Sequence, residues 1–181
     1  MRYILILLLF MAFKPEANNE TRIYWNHNSL LSWSDFQGKP EEGSDFSSIT
    51  DWGISFQYTI IENEFNADVK CYFNKNGSWT KTNSLYVLRH EQCHFDLAEV
   101  YARKLRQELE GYSFRHNASE QELDAIYKRV AGECTAEENR YDAETKHSLD
   151  TQKQKEWEAS VSAQLKSLDN YKLKASYVKS N

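Results

Sequence analysis

The sequence predicts an α+β fold in which a small antiparallel sheet packs against one long helix and two further helices. Residues 54–60 and 69–73 alternate apolar with smaller or more polar side chains, as half-buried strands do. After residue 82 the apolar residues instead recur at helical spacing. The length of 181 residues suits one domain with its own core.

The N-terminal residues are typical of an export signal. A basic start precedes an uninterrupted apolar run from Tyr3 to Phe13, and a polar stretch follows. The run is too short to span a bilayer but suits the core of a signal peptide; a buried first element of the fold is the alternative. We therefore predict a signal peptide at 1–17, a domain at 18–170 and a polar tail at 171–181. The mature chain is expected to be secreted or periplasmic, with no membrane attachment after signal removal.

The strands follow a stretch, from residue 18 to about Gly53, that is rich in turn residues and is expected to be irregular. The alternating segments 54–60 and 69–73 predict two strands with a turn at residues 63–66 between them. Asn76-Gly77 predicts the next turn. Together these signals indicate a hairpin or part of a small antiparallel sheet.

Three helices are predicted after the sheet. The first has N-cap candidates at residues 82–84 and a stop at Gly111. The second begins with a capping-box pattern formed by Ser119 and Glu122. The third begins near Leu149. The first helix is the long one, and it contains the most informative motif of the chain.

That motif is His90-Glu91-Gln92-Cys93-His94, which has the H-E-x-x-H spacing. Two histidines four positions apart share a helix face and can bind one Zn²⁺, while Glu91 can act as a general base on a zinc-bound water. An exposed histidine pair on an amphipathic helix is the alternative. Chance produces this spacing in about one chain in a hundred of this composition. The zinc-site interpretation therefore also needs a helix at the motif and a third ligand.

A catalytic zinc needs three protein ligands and one open position. Residues 141–147, at the end of the second helix, are the richest source of a third ligand. His147 is the preferred candidate, because a neutral imidazole binds zinc well. The other candidates are Asp142, Glu144, His116 and Glu138. Asp142 would otherwise accept a proton from a ligand imidazole and fix its tautomer.

Composition excludes some functions. The net charge is -5 and no block of basic residues occurs, which argues against nucleic-acid binding. Three cysteines, Cys71, Cys93 and Cys134, are an odd number for a disulfide framework, so buried thiols are preferred over a Cys93–Cys134 bridge. Cys93 has no activating neighbour that would make it a nucleophile.

Three segments together carry a family resemblance: residues 31–40, residues 88–99 and residues 141–147. They resemble a bacterial family of predicted secreted zinc-dependent proteases that is classed as a domain of unknown function. The resemblance implies a zincin-like fold, in which a small sheet packs on the active-site helix and a second helix completes the metal site. One departure is Ser148, where the family tends to have a glycine that would ease the turn presenting His147.

The sequence therefore predicts an exported, monomeric zinc metallopeptidase that cleaves a peptide or protein substrate, with Glu91 as its base and Zn²⁺ held by His90, His94 and His147. Two alternatives remain open. One is a non-catalytic metal-binding module of the cell envelope. The other is a zinc amidase that acts on cell-wall peptides.

Overall fold

The computed structural model describes residues 21–28, 30–61, 64–112 and 120–173, and it confirms the α+β class with a small antiparallel sheet and three helices. The segments predicted as signal peptide and the capping-box residue Ser119 lie outside these residues. None of the helices in the described ranges is both long and apolar enough to cross a membrane.

The main sheet has three antiparallel strands in the order β1-β4-β3. They are β1 (Arg22–Tyr24), β3 (Trp52–Ile61) and β4 (Glu64–Asn74). The predicted hairpin is present, but it is longer than predicted because Ile61 pairs with Glu64. The turn predicted at 63–66 was therefore wrong for residues 64–66, which belong to β4.

A second sheet consists of β2 (Ser48–Ile49) and β5 (Trp79–Thr80), which pair antiparallel. Both β1 and β2 lie in the stretch predicted to be irregular. Strands of two or three residues are too short to show an alternating pattern, so only their tertiary pairing reveals them. Ser48 of β2 contacts Glu91, which belongs to the first of the three helices.

The helices are α1 (Leu85–Glu110), α2 (Glu120–Thr145) and α3 (Thr151–Ser167). The Ser84 hydroxyl caps α1 by accepting from the Val87 amide at 3.4 Å. Asp150 caps α3 in the same way through the Lys153 amide at 3.0 Å. All three predicted helices are therefore present with bounds close to those expected.

The first helix, α1, is the centre of the molecule, because it packs against the sheet on one side and against α2 and α3 on the other. Its residues Phe95, Leu97, Ala98 and Val100 are fully buried although they point in different directions around the helix. The motif residues lie in the N-terminal half of this enclosed helix, and their side chains are therefore shielded from bulk water.

A buried ion network fixes the other half of α1. Glu99 accepts from Arg103 Nε at 3.0 Å and from an Arg106 guanidinium nitrogen at 2.8 Å. The same Arg106 nitrogen donates to the carbonyl of Tyr171 at 3.0 Å, so the chain after α3 is held against α1. The three cysteines are buried free thiols, and no Cys93–Cys134 bridge forms.

Candidate metal centre

The first turns of α1 place His90, Glu91 and His94 side by side, and all three are buried. The two histidines stand four residues apart on one helix face, as the motif requires. Their Nε2 atoms lie 3.2 Å from each other. Burial lowers the pKa of His90 and so favours the neutral form that binds a metal.

Asp142 of α2 completes the group. Its Oδ1 atom lies 3.1 Å from Nε2 of His90 and 3.1 Å from Nε2 of His94. Among the residues described, these three side chains are the set of histidine and acidic groups whose ligand atoms converge within 4.8 Å. The three atoms form a nearly equilateral triangle, and each belongs to a residue type that binds divalent metals.

The triangle fits a tetrahedral zinc ion. Ligand distances of about 2.0–2.1 Å place neighbouring ligand atoms about 3.3–3.4 Å apart, and the observed separations are 3.1 to 3.2 Å. Two imidazole nitrogens that both carried protons would repel each other at this distance. Lone pairs directed at a common cation would avoid this repulsion.

Glu138, one helical turn before Asp142, supports the centre from behind. Its carboxylate accepts a hydrogen bond from Nδ1 of His94. With Nδ1 bonded to Glu138, Nε2 is the nitrogen that faces the centre, where a bound metal would take the place of its proton. Burial opposes a charge on His94, but the carboxylates of Glu138 and Asp142 outweigh it and hold the pKa of His94 well above its ordinary value.

Tyr141 packs directly against the two histidines. Its ring stacks on His90 with centroids 4.6 Å apart and meets His94 edge-on at 4.8 Å. Its hydroxyl donates to the carbonyl of His90 at 3.3 Å, and the residue is fully buried. Tyr141 therefore fixes the imidazole planes, and its hydroxyl faces the backbone of α1.

His147, the third ligand predicted from sequence, lies at the rim of the centre. Its Nδ1 is 3.5 Å from Oδ1 of Asp142, and its side chain is 54% exposed. Its ring contacts Phe46 edge-on at 5.2 Å. It does not belong to the converging group, so the geometry favours Asp142 over the predicted His147 as the third ligand.

The other candidates for the third position lie elsewhere. A carboxylate oxygen of Glu144 accepts from the indole nitrogen of Trp157 at 2.9 Å, which directs Glu144 towards α3. His116 lies outside the described residues. The role of Glu138 is visible in the sequence only as the i, i+4 relation to Asp142 on one helix.

Glu91 lines the same pocket as the two histidines, and its carboxylate contacts residues 48–50. Its Oε1 accepts from the hydroxyl of Ser48, and its Oε2 accepts from Thr50 Oγ1 at 2.7 Å. Sequence reasoning missed both hydroxyl residues. They lie in a short, irregular segment more than 40 positions before Glu91, and no local spacing pattern connects them to it.

A cleft of about 620 Å³ opens over the centre. One wall comes from residues 45–50 and the other from the turn that joins α2 to α3 at residues 146–149, and His90, His94 and Asp142 also line the cleft. Two of its lining residues, Phe46 and Leu149, are large apolar side chains that are 44% and 80% exposed. The cleft thus combines buried polar groups below with apolar surface at its mouth.

One comparison with known proteins gives a match. A family model described as "Bacterial protein of unknown function (DUF922)" matches residues 10–148. That span covers about three quarters of the chain and includes every residue of the centre described above. No curated protein and no solved structure matches the chain.

Proposed function

Since the chain belongs to the bacterial protein family DUF922, whose function is unknown, we propose a function from the site itself: zinc-dependent hydrolysis of peptide bonds by an exported protein with a zincin-like fold. The observation that carries the proposal is the triangle of His90, His94 and Asp142 beside the buried carboxylate of Glu91, at the base of an open cleft.

The residues of the centre have distinct roles in this proposal. His90, His94 and Asp142 would hold the metal, and Glu138 would orient His94. Bound zinc would supply a Lewis acid that polarises the substrate carbonyl and makes water a stronger acid. Glu91 would accept the proton of the attacking water and deliver it to the leaving amine.

The cleft supports a catalytic centre, because a catalytic zinc keeps an open position for water and substrate whereas a structural zinc is closed by four protein ligands. The exposed Phe46 and Leu149 at its mouth would contact apolar side chains of a peptide. A zinc amidase acting on cell-wall peptides would use the same groups and differ only in substrate.

One observation favours a second candidate, a non-catalytic metal-binding module. His147 stands 3.5 Å from Asp142, and a modest movement of its side chain would bring a fourth ligand to the metal. Such a closed site would have no use for Glu91 as a base. The two candidates therefore differ in whether substitution of Glu91 has a functional effect.

The test begins with the mature chain, residues 18–181, and a measurement of bound metal by mass spectrometry. Wild type, Glu91→Gln and the control Glu133→Gln, an exposed carboxylate on α2, are then incubated with a mixed peptide library. We expect one zinc per chain in all three and cleavage that falls at least about 10³-fold in Glu91→Gln alone.

Stoichiometric zinc without cleavage in any variant would instead support the binding module. A chain that binds no zinc would refute both candidates. Equal cleavage by wild type and Glu91→Gln would refute the role of Glu91 and leave the hydrolysis to another group.

A further inference from the structure

We infer that Ser48, in the short strand β2, and Thr50, directly after that strand, are positioning residues for the general base. This inference rests on the proposed function, because it assigns a role to the residues that hold Glu91. The observation behind it is independent of the metal: both oxygens of one buried carboxylate accept hydrogen bonds from hydroxyls of a single segment.

The two contacts divide the carboxylate between them. Ser48 donates to Oε1 and Thr50 donates to Oε2 at 2.7 Å. Glu91 is only 4% exposed, so bulk water does not substitute for these donors. Hydroxyl bonds to a charged acceptor stabilise the charged form and are stronger than bonds between neutral groups. They therefore fix the side-chain rotamer of Glu91.

The hydroxyls are themselves held in place by the second sheet. Ser48 pairs with Thr80 of β5, and the Lys81 amide donates to the Ser47 carbonyl at 2.7 Å. Ser48 and Thr50 are two positions apart in extended chain, so their side chains leave the same face. That face contacts Glu91 in the first turns of α1. The short β2–β5 pairing therefore holds the hydroxyl donors at the Glu91 carboxylate.

The arrangement leaves Glu91 able to act as a base. Each carboxylate oxygen has two lone pairs, and each hydroxyl uses only one of them. The remaining lone pairs are available to a proton from water in the cleft, which Glu91 lines together with Ser48 and Thr50. A fixed rotamer keeps the carboxylate of a general base oriented towards the water whose proton it accepts.

Isosteric substitution separates positioning from packing. Thr50→Val removes the hydroxyl and keeps the shape, whereas Thr50→Ser keeps the hydroxyl and removes a methyl group. We expect Thr50→Val to lower kcat about tenfold with KM within about twofold, and Thr50→Ser to restore kcat to within about threefold of wild type. Ser48→Ala combined with Thr50→Val is expected to lower kcat about 100-fold. Thr59→Val, at an exposed position of β3, is the matched control, and zinc content is measured in every variant.

A measurement without activity accompanies the kinetics. The free energy of unfolding in urea is measured for four zinc-free proteins: wild type, Thr50→Val, Glu91→Gln and the variant that carries both of these substitutions. These four values form a double-mutant cycle. The two substitutions are expected to be coupled by about fivefold in the unfolding equilibrium constant, because the hydroxyl stabilises the charged carboxylate more than an amide.

Several results would overturn the inference. Equal losses of kcat in Thr50→Val and Thr50→Ser would show that the methyl group matters and the hydroxyl does not. A rise in KM with unchanged kcat would assign Thr50 to substrate binding. If the wild type cleaves peptides, the variants cleave equally well and the unfolding cycle shows no coupling, the positioning role of Ser48 and Thr50 is refuted and the proposed function stands. If the zinc-loaded wild type cleaves nothing, the proposed function is refuted, and the role of Glu91 as a base is refuted with it.

Discussion

At the scale of single residues, two carboxylates of α2 orient the imidazole rings of the two histidines of α1. Glu138 and Asp142 are four positions apart, so both side chains leave the same face of the helix. Asp142 Oδ1 contacts the Nε2 atoms of both histidines, and the carboxylate of Glu138 contacts Nδ1 of His94. The imidazole of His94 thus lies between two carboxylates, one at each ring nitrogen, and this arrangement fixes the orientation of the ring.

Substitution of Asp142 tests this assignment. We expect Asp142→Ala to lower zinc affinity by more than about 100-fold, since loss of a direct ligand exceeds the 10–100-fold effect of removing an outer partner. His147→Ala is expected to keep zinc affinity within about tenfold of wild type, because its exposed ring lies outside the converging group. Competition with a chromogenic zinc chelator measures both affinities. Loss of zinc in His147→Ala with retention in Asp142→Ala would restore His147 as the third ligand.

At the scale of elements, the turn between α2 and α3 is the strained part of the cleft wall. Lys146, His147 and Ser148 have φ angles of 51°, 51° and 69°, which is the left-handed region. For a residue with a Cβ this region costs about 1–2 kcal/mol. Backbone strain of this kind is frequent at functional sites. Here the strained turn places His147 beside Asp142 and Phe46.

Glycine at position 148 should relieve part of this strain. We expect Ser148→Gly to raise the free energy of unfolding by about 0.5–1 kcal/mol, the relief of a left-handed side chain less the extra entropy of glycine in the unfolded chain. Urea denaturation measures the change. Ser160→Gly, at an exposed position inside α3, is the control and should lower stability by about 1 kcal/mol. A loss of stability in Ser148→Gly would show that the serine side chain contributes more than the strain removes.

At the scale of the whole molecule, the centre lies between α1 and α2, and its three side chains come from both helices. A metal bound by His90, His94 and Asp142 would cross-link them without any covalent bond. Ligands that bind only the folded chain stabilise it by mass action, by about 4 kcal/mol when the free ligand is 1,000 times its Kd.

Removal of zinc should therefore lower thermal stability. At that degree of saturation we expect chelation to lower Tm by about 8–16 °C, since about 1 kcal/mol corresponds to 2–4 °C for a domain of this size. Calorimetry with and without chelator measures the shift, and added zinc should reverse it. The variant His94→Ala is the control and should show no chelator-dependent shift. An unchanged Tm in wild type would mean that the centre does not hold a metal in the folded chain.

The α+β class and the three helices could be predicted from the sequence because their signals are local or repeat along the chain. Alternation predicted the β3–β4 hairpin, and the cap candidate Ser84 marks the start of α1. His90, Glu91 and His94 were found for the same reason: one helix turn fixes their relative positions.

The tertiary structure alone decided which groups surround them. Asp142 and Glu138 lie 44 to 52 positions from their histidine partners, and Ser48 and Thr50 lie 41 to 43 positions from Glu91. No spacing rule reaches over such distances, because the relative placement of two helices and a strand depends on the packing of the whole core. The sequence by itself determined that two histidines and a glutamate lie together on one helix, and the fold determined which carboxylates and hydroxyls contact them.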